Sequence, residues 1–89
     1  MAKVHFTANL RRHVDCRAME APGATVRDVL SQVFAQQERL GPYVLDDQGS
    51  LRKHMTILVD GQRLMDIETL SDPVQPTSEI WVMQALSGG

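Results

Sequence analysis

Gly23-Ala24-Thr25-Val26-Arg27-Asp28-Val29-Leu30-Ser31-Gln32-Val33-Phe34 is the stretch that organises the chain. Val26, Val29, Leu30, Val33 and Phe34 recur at i, i+3, i+4, i+7 and i+8, one apolar stripe on an amphipathic helix. Arg27, Ser31, Gln32, Gln36 and Gln37 take the wet side. Ala21-Pro22-Gly23-Ala24 punctuates the chain ahead of it. Thr25 is placed to cap it, because its hydroxyl can accept from an orphan N–H of the first turn. Asp28, at the third helical position, suits the positive end of the helix dipole. Gly41-Pro42 is expected to stop the helix. One helix with one apolar stripe needs a surface to bury it against, and the flanking sequence supplies strands.

On the N-terminal side, residues 3–9 alternate, with Val4, Phe6 and Ala8 on one face and Lys3, His5, Thr7 and Asn9 on the other. That is the period of a half-buried strand. Leu10-Arg11-Arg12-His13 is a candidate turn, and residues 14–21 can return as an antiparallel partner. On the C-terminal side, Asp46-Asp47-Gln48-Gly49-Ser50 has the composition of a turn, in a loop pinned by Tyr43, Val44, Leu45 and Leu51. Residues 54–60 form a third strand, with Met55, Ile57 and Val59 alternating against His54, Thr56, Leu58 and Asp60. Asp60-Gly61 is a two-residue hairpin signal, and residues 62–65 would return as a short fourth strand. Residues 66–72 read as an irregular turn with Ile67 and Leu70 tucked inward, and Pro73 and Pro76 exclude a regular element after it. Residues 79–84 are the last strand, with Ile80 and Val82 toward the helix and Trp81 and Met83 on the opposite face. The order predicts an α+β fold of two layers: one main helix packed across a mixed four- to five-stranded sheet, the last strand beside and parallel to the first.

Eighty-nine residues make one domain near the small end for a self-sufficient core. With a net charge of −2 and no basic cluster larger than Arg11-Arg12 or Arg52-Lys53, the chain lacks the footprint of a nucleic-acid binder. No apolar run approaches the ~18 residues of a membrane span, and no signal-peptide pattern opens the chain, so a cytoplasmic location is expected. The single cysteine, Cys16, cannot form an internal disulfide and reads as small filler in a strand-like segment. His5, His13 and His54 lack metal-site spacing, and Asp46-Asp47 beside a glycine reads as a solvated turn, so no metal site is expected. No nucleophile–base pair or phosphate-cradling loop is visible, and no catalytic residue is assigned.

Ala85-Leu86-Ser87-Gly88-Gly89 follows the last strand. Two glycines without Cβ atoms can thread a narrow channel. Five extended residues reach at most ~17 Å from a sheet. The residues alone allow two readings: a slim stalk that presents a carboxylate, or a frayed terminus or expression scar.

Four places carry a family resemblance: Val4-His5-Phe6-Thr7-Ala8-Asn9-Leu10-Arg11; Gly23-Ala24-Thr25-Val26-Arg27-Asp28-Val29-Leu30; Ile57-Leu58-Val59-Asp60-Gly61-Gln62; and Glu79-Ile80-Trp81-Val82-Met83 running to Leu86-Ser87-Gly88-Gly89. The chain resembles the small sulfur-carrier proteins of the MoaD/ThiS family, which share the β-grasp fold of ubiquitin. The stretch Val44-Leu45-Asp46-Asp47-Gln48-Gly49-Ser50-Leu51-Arg52 is similar to the branch that includes carriers for bacterial cysteine synthesis. Gln84-Ala85 stand where many molybdopterin-type carriers have a proline pair.

The resemblance implies a β-grasp domain over residues 1–84 and a flexible Gly-Gly tail over 85–89. It implies a protein co-substrate rather than an enzyme. Gly89 would be adenylated and then carry the sulfur as a thiocarboxylate; Gly88, Ser87 and Leu86 would thread and position the tail. Trp81 and Met83 are the expected docking patch, against the alternative that Trp81 packs under the loop of residues 40–53. The implied partners are an E1-like adenylating enzyme, which uses ATP and magnesium, a persulfide or sulfide donor, and a downstream sulfur-accepting synthase. No cofactor is expected on this chain, which would act as a monomer or in a heteromer with the synthase. Compatible acceptors are molybdopterin, thiamin thiazole, cysteine and secondary-metabolite precursors. The competing functions are a ubiquitin-like modifier forming isopeptide bonds and an interaction module with an inert tail.

Overall fold

The computed structural model describes residues 1–7 and 18–84. The elements run β1 (Ala2–Phe6), β2 (Met19–Ala21), α1 (Val26–Gln36), α2 (Leu40–Val44), β3 (Met55–Val59), β4 (Gln62–Arg63) and β5 (Glu79–Gln84). Among the described residues the sheet has the order β2-β1-β5-β3-β4. β5 lies in the middle, parallel to β1 with Val4 opposite Ile80, and antiparallel to β3 with Ile57 opposite Val82. β1 and β2 are antiparallel, Val4 facing Met19. This is the predicted mixed sheet with the last strand beside the first.

α1 forms where the apolar stripe placed it. Val26, Val29, Leu30 and Val33 are buried against the inward residues of the sheet, including Val4, Phe6, Ile57, Ile80 and Val82. Thr25 caps the helix, its hydroxyl accepting from the Asp28 N–H at 3.2 Å. Two more orphan donors of the first turn are satisfied from a distant loop: the Val26 N–H donates to the Asp72 carbonyl and the Arg27 N–H to that of Leu70, both at 2.9 Å. The Arg27 side chain adds a bond from Nε to the Thr69 carbonyl at 2.7 Å.

That loop corrects part of the sequence reading. Leu70 is buried, turned inward by a left-handed backbone (φ 59°), but Ile67 is 52% exposed rather than tucked in. The reason is polar. Asp66 gathers the loop around its carboxylate, accepting from the backbone N–H groups of Glu68, Thr69 and Ser71 and from the hydroxyls of Ser71 and Thr69. Asp72 in turn accepts from the Met65 and Asp66 N–H groups, both at 2.8 Å. The Leu64 N–H still donates to the Ile57 carbonyl at 3.0 Å, but the Asp66 N–H, the next one in phase to face β3, is bound by Asp72, and β4 ends at Arg63 instead of reaching residue 65.

Hydrogen bonds from Ser71 and then Thr69 hold the Asp66 carboxyl well below the usual carboxylate range. A depressed folded value gives a contribution to stability that is present above the unfolded pKa of ~3.9 and is lost as pH falls toward the folded value. Asp66→Asn is therefore expected to melt below the wild type at neutral pH. The gap should close on acidification below about pH 4, read by thermal melts across pH.

Gly41-Pro42 also needs correction. α1 ends earlier, at Gln36, and Gly41-Pro42 lie inside α2 rather than stopping the first helix. Proline is tolerated there because a first-turn N–H has no intrahelical acceptor to lose. The following turn behaves as its composition predicts. Asp46 Oδ1 accepts from the Gln48 and Ser50 N–H groups at 2.9 and 3.0 Å, and Gly49 takes φ 82°. At the β3–β4 hairpin both central residues, Asp60 (φ 50°) and Gly61 (φ 86°), are left-handed, as a type I′ turn requires.

Candidate functional site

β5 carries the site because its two faces do different work. Ile80 and Val82 are fully buried, while Trp81 is 40% exposed on the opposite face. Register sets the neighbours of Trp81: His5 on β1 and Leu58 on β3, with Thr56 opposite Met83 one step further along. The imidazole of His5 stacks on the indole, ring centroids 4.3 Å apart and planes 14° from parallel. His5 Nε2 lies 3.0 Å from Glu79 Oε1, and the His5 side chain is only 17% exposed. Glu79 is itself anchored, its N–H donating to Asp60 Oδ1 at 3.0 Å. Trp81, Leu58 and Met83 thus form an apolar centre. Lys3, which pairs with Glu20 on one side and Glu79 on the other, borders it on the β1 side, and Arg63, opposite Leu58, on the β4 side. An apolar centre with a charged rim is the anatomy of a protein–protein contact.

A histidine beside a carboxylate also suggests acid–base chemistry, but the arrangement lacks the rest of such a site. Among the described residues no hydroxyl or thiol is hydrogen-bonded to His5, and one side of its ring is occupied by the indole. Nor do three or more His, Cys, Asp or Glu side chains converge as a metal site among those residues.

At the end of the sheet where the tail begins, Gln84 pairs with Met55. Both line a cleft of about 400 Å³ together with Pro42, Tyr43, Arg52 and His54. Arg52 is held in place by Nε, which donates to the Pro42 and Leu45 carbonyls at 2.7 and 3.1 Å. The tail residues Leu86, Ser87, Gly88 and Gly89, to which the resemblance assigns the sulfur chemistry, lie outside the described residues, as does Cys16. Sequence reasoning selected Trp81 and Met83 but weighed His5 only as a metal ligand. The available signal was the expected pairing of first and last strands, which puts His5 and Trp81 on one face.

The ThiS family profile matches residues 4–89. The chain belongs to the ThiS family. As a member of that family it is a small ubiquitin-like protein of the sulfur-carrier class, whose members are carriers rather than enzymes. No curated protein sequence matches significantly. Solved structures place the fold. The small archaeal modifier protein 1 of Methanosarcina acetivorans is 26% identical with a TM-score of 0.80, over 99% of this chain and 95% of its own. A chain of the Amycolatopsis orientalis BexX/CysO complex gives 0.83 at 19% identity over the whole of both chains. CysO of Mycobacterium tuberculosis gives 0.81 at 19% identity over 97% of this chain and all of its own. The shared architecture is the β-grasp. No described helix is long and apolar enough to cross a membrane.

Proposed function

We propose that this ThiS-family protein carries sulfur on the carboxylate of Gly89. The observation that supports this is the family match running through Gly88-Gly89 to residue 89. A carboxylate with a reference pKa of ~3.3–3.7 is ionised at neutral pH and is a poor electrophile, so it must be activated. In the proposed sequence a Gly89 carboxylate oxygen attacks the α-phosphate of ATP, held with magnesium on an E1-like enzyme. Pyrophosphate leaves and an acyl-adenylate remains. A sulfide or persulfide sulfur then attacks the acyl carbon and AMP leaves; with a persulfide donor, a second thiol attacks the donor-side sulfur of the resulting acyl disulfide, which frees the thiocarboxylate and leaves a disulfide on the donor. A downstream synthase transfers that sulfur to its acceptor.

This chain contributes the tail and the surface behind it. Gly88 lets the tail pass close to partner backbone, where a Cβ would collide. Ser87 and Leu86 position the tail. Trp81 and Met83 dock the activating enzyme. The reliance on ATP suits the cytoplasm, and carriage as a monomer or in a heteromer suits a protein whose structural neighbours include a chain of the BexX/CysO complex.

Incubation with the E1-like enzyme, ATP, magnesium and a sulfide source is expected to raise the intact mass by the difference between sulfur and oxygen. The added mass should map to Gly89. An unchanged mass with a competent enzyme would remove the proposal. The likeness to the archaeal modifier protein supports a second reading, in which the same adenylate ends as an isopeptide bond to a lysine. That reading expects higher-mass conjugates in extracts instead.

A further inference from the structure

Trp81 does not stand alone on its face of the sheet, and the docking role gives its neighbour no part. His5 and Trp81 are opposite each other across the parallel β1–β5 pair, and their rings stack with nearly parallel planes. A side chain free to rotate loses that freedom when a partner covers it, whereas one already held does not. The His5 imidazole is held in turn by Glu79 through Nε2. The result is a three-residue chain, Glu79 to His5 to Trp81, that fixes the indole while leaving it 40% exposed.

We propose that His5 is the positioning residue of the docking face: held by Glu79, it fixes the Trp81 indole in the orientation the E1-like activating enzyme takes up. The inference rests on the docking role proposed above. The occupant follows from reach. Five residues beyond Gln84 span at most ~17 Å, so an enzyme that acts on Gly89 lies within that distance of Gln84. Trp81 sits three residues behind Gln84, about 10 Å back along the strand. The enzyme that receives the tail therefore comes within reach of this part of the sheet. Among the described residues, the other charged groups on this face are Lys3 on the strand of His5, Glu20 on β2 opposite Lys3, and Arg63 on β4. Asp60 is bound to the Glu79 backbone, and β3 contributes only Thr56 and Leu58.

Trp81 is the single tryptophan, so its emission reports the stack directly in the free protein. His5→Ala is expected to lower Trp81 anisotropy. In an ATP–pyrophosphate exchange assay it should raise the KM of the E1-like enzyme for the carrier about three- to tenfold with kcat unchanged. His5→Phe, which keeps a stacked ring, should restore anisotropy and KM. Trp81→Ala should raise KM about 30-fold or more. Thermal melts of the variants confirm that each is folded. If His5→Ala leaves anisotropy and KM at wild-type values while Trp81→Ala raises KM, the positioning role is overturned and docking by Trp81 stands. If Trp81→Ala is activated with an unchanged KM, the docking role itself falls and this inference with it, while sulfur carriage by Gly89 is untouched.

Discussion

Replacing Gly88 with valine, or adding one bulky residue after Gly89, is expected to cut adenylation by about 100-fold or more while leaving the melting temperature unchanged. The two changes act differently. Valine at 88 adds a branched Cβ to the tail that, in the proposed function, passes close to enzyme backbone, and it restricts the angles the tail can take. The extension leaves the stalk intact but carries the carboxylate ~3.5 Å further on, and puts an amide where the attacking oxygen should be. Reacting atoms must approach to about 3–3.5 Å, so a displacement of that size removes the reaction geometry altogether. Pyrophosphate release and intact mass check both. Undiminished activation of the extended protein would show that Gly89 is not the reacting residue.

Ile80→Ala should have the largest effect on stability. Ile80 is fully buried in the central strand, flanked by Val4 and Val59 in register. Truncating such a side chain costs about 2–5 kcal/mol, part from lost transfer and part from the cavity left in a core that cannot fully collapse. A domain of this size shifts by about 4–8 °C per kcal/mol, so a fall of roughly 8–40 °C in Tm is expected in a thermal melt. The contrast with its neighbour is informative. Trp81→Ala, one residue along the same strand, removes a partly exposed side chain and should affect recognition far more than Tm. A small loss of stability at Ile80, within about 1 kcal/mol, would mean that this strand is not the centre of the core.

The parts of the fold legible in the sequence were those with a period or a specific turn chemistry. Val26 to Val33 repeat with the helical period, Met55, Ile57, Ile80 and Val82 alternate, and Asp60-Gly61 supplies the positive φ angles of its hairpin. Such signals are local and repeat, so they survive without knowledge of the fold. α2 was not legible. Five residues, Leu40-Gly41-Pro42-Tyr43-Val44, are too short to show a period, and glycine and proline argue against the helix that tertiary packing of Leu40 and Val44 stabilises. Ile67 was misplaced for a related reason. Hydrophobicity favours burial, but the bonds Asp66 makes to its own loop decide the path, and only Leu70 is turned inward. In the candidate site, the outward placement of Trp81 and Met83 was readable from alternation. The stack with His5 was not, because the two residues lie 76 positions apart and meet only through the parallel pairing of β1 with β5.

That pairing has a mechanical consequence. β1 and β5 point the same way, so a force drawing Ala2 and Gln84 apart acts along the ladder between them instead of opening it from one end. The rungs from Lys3–Glu79 to Phe6–Val82 share the load together, and β3 braces β5 from its other edge. Tension applied through the tail thus meets a shear-loaded clamp, and the domain resists traction from the very strand that a partner would grip.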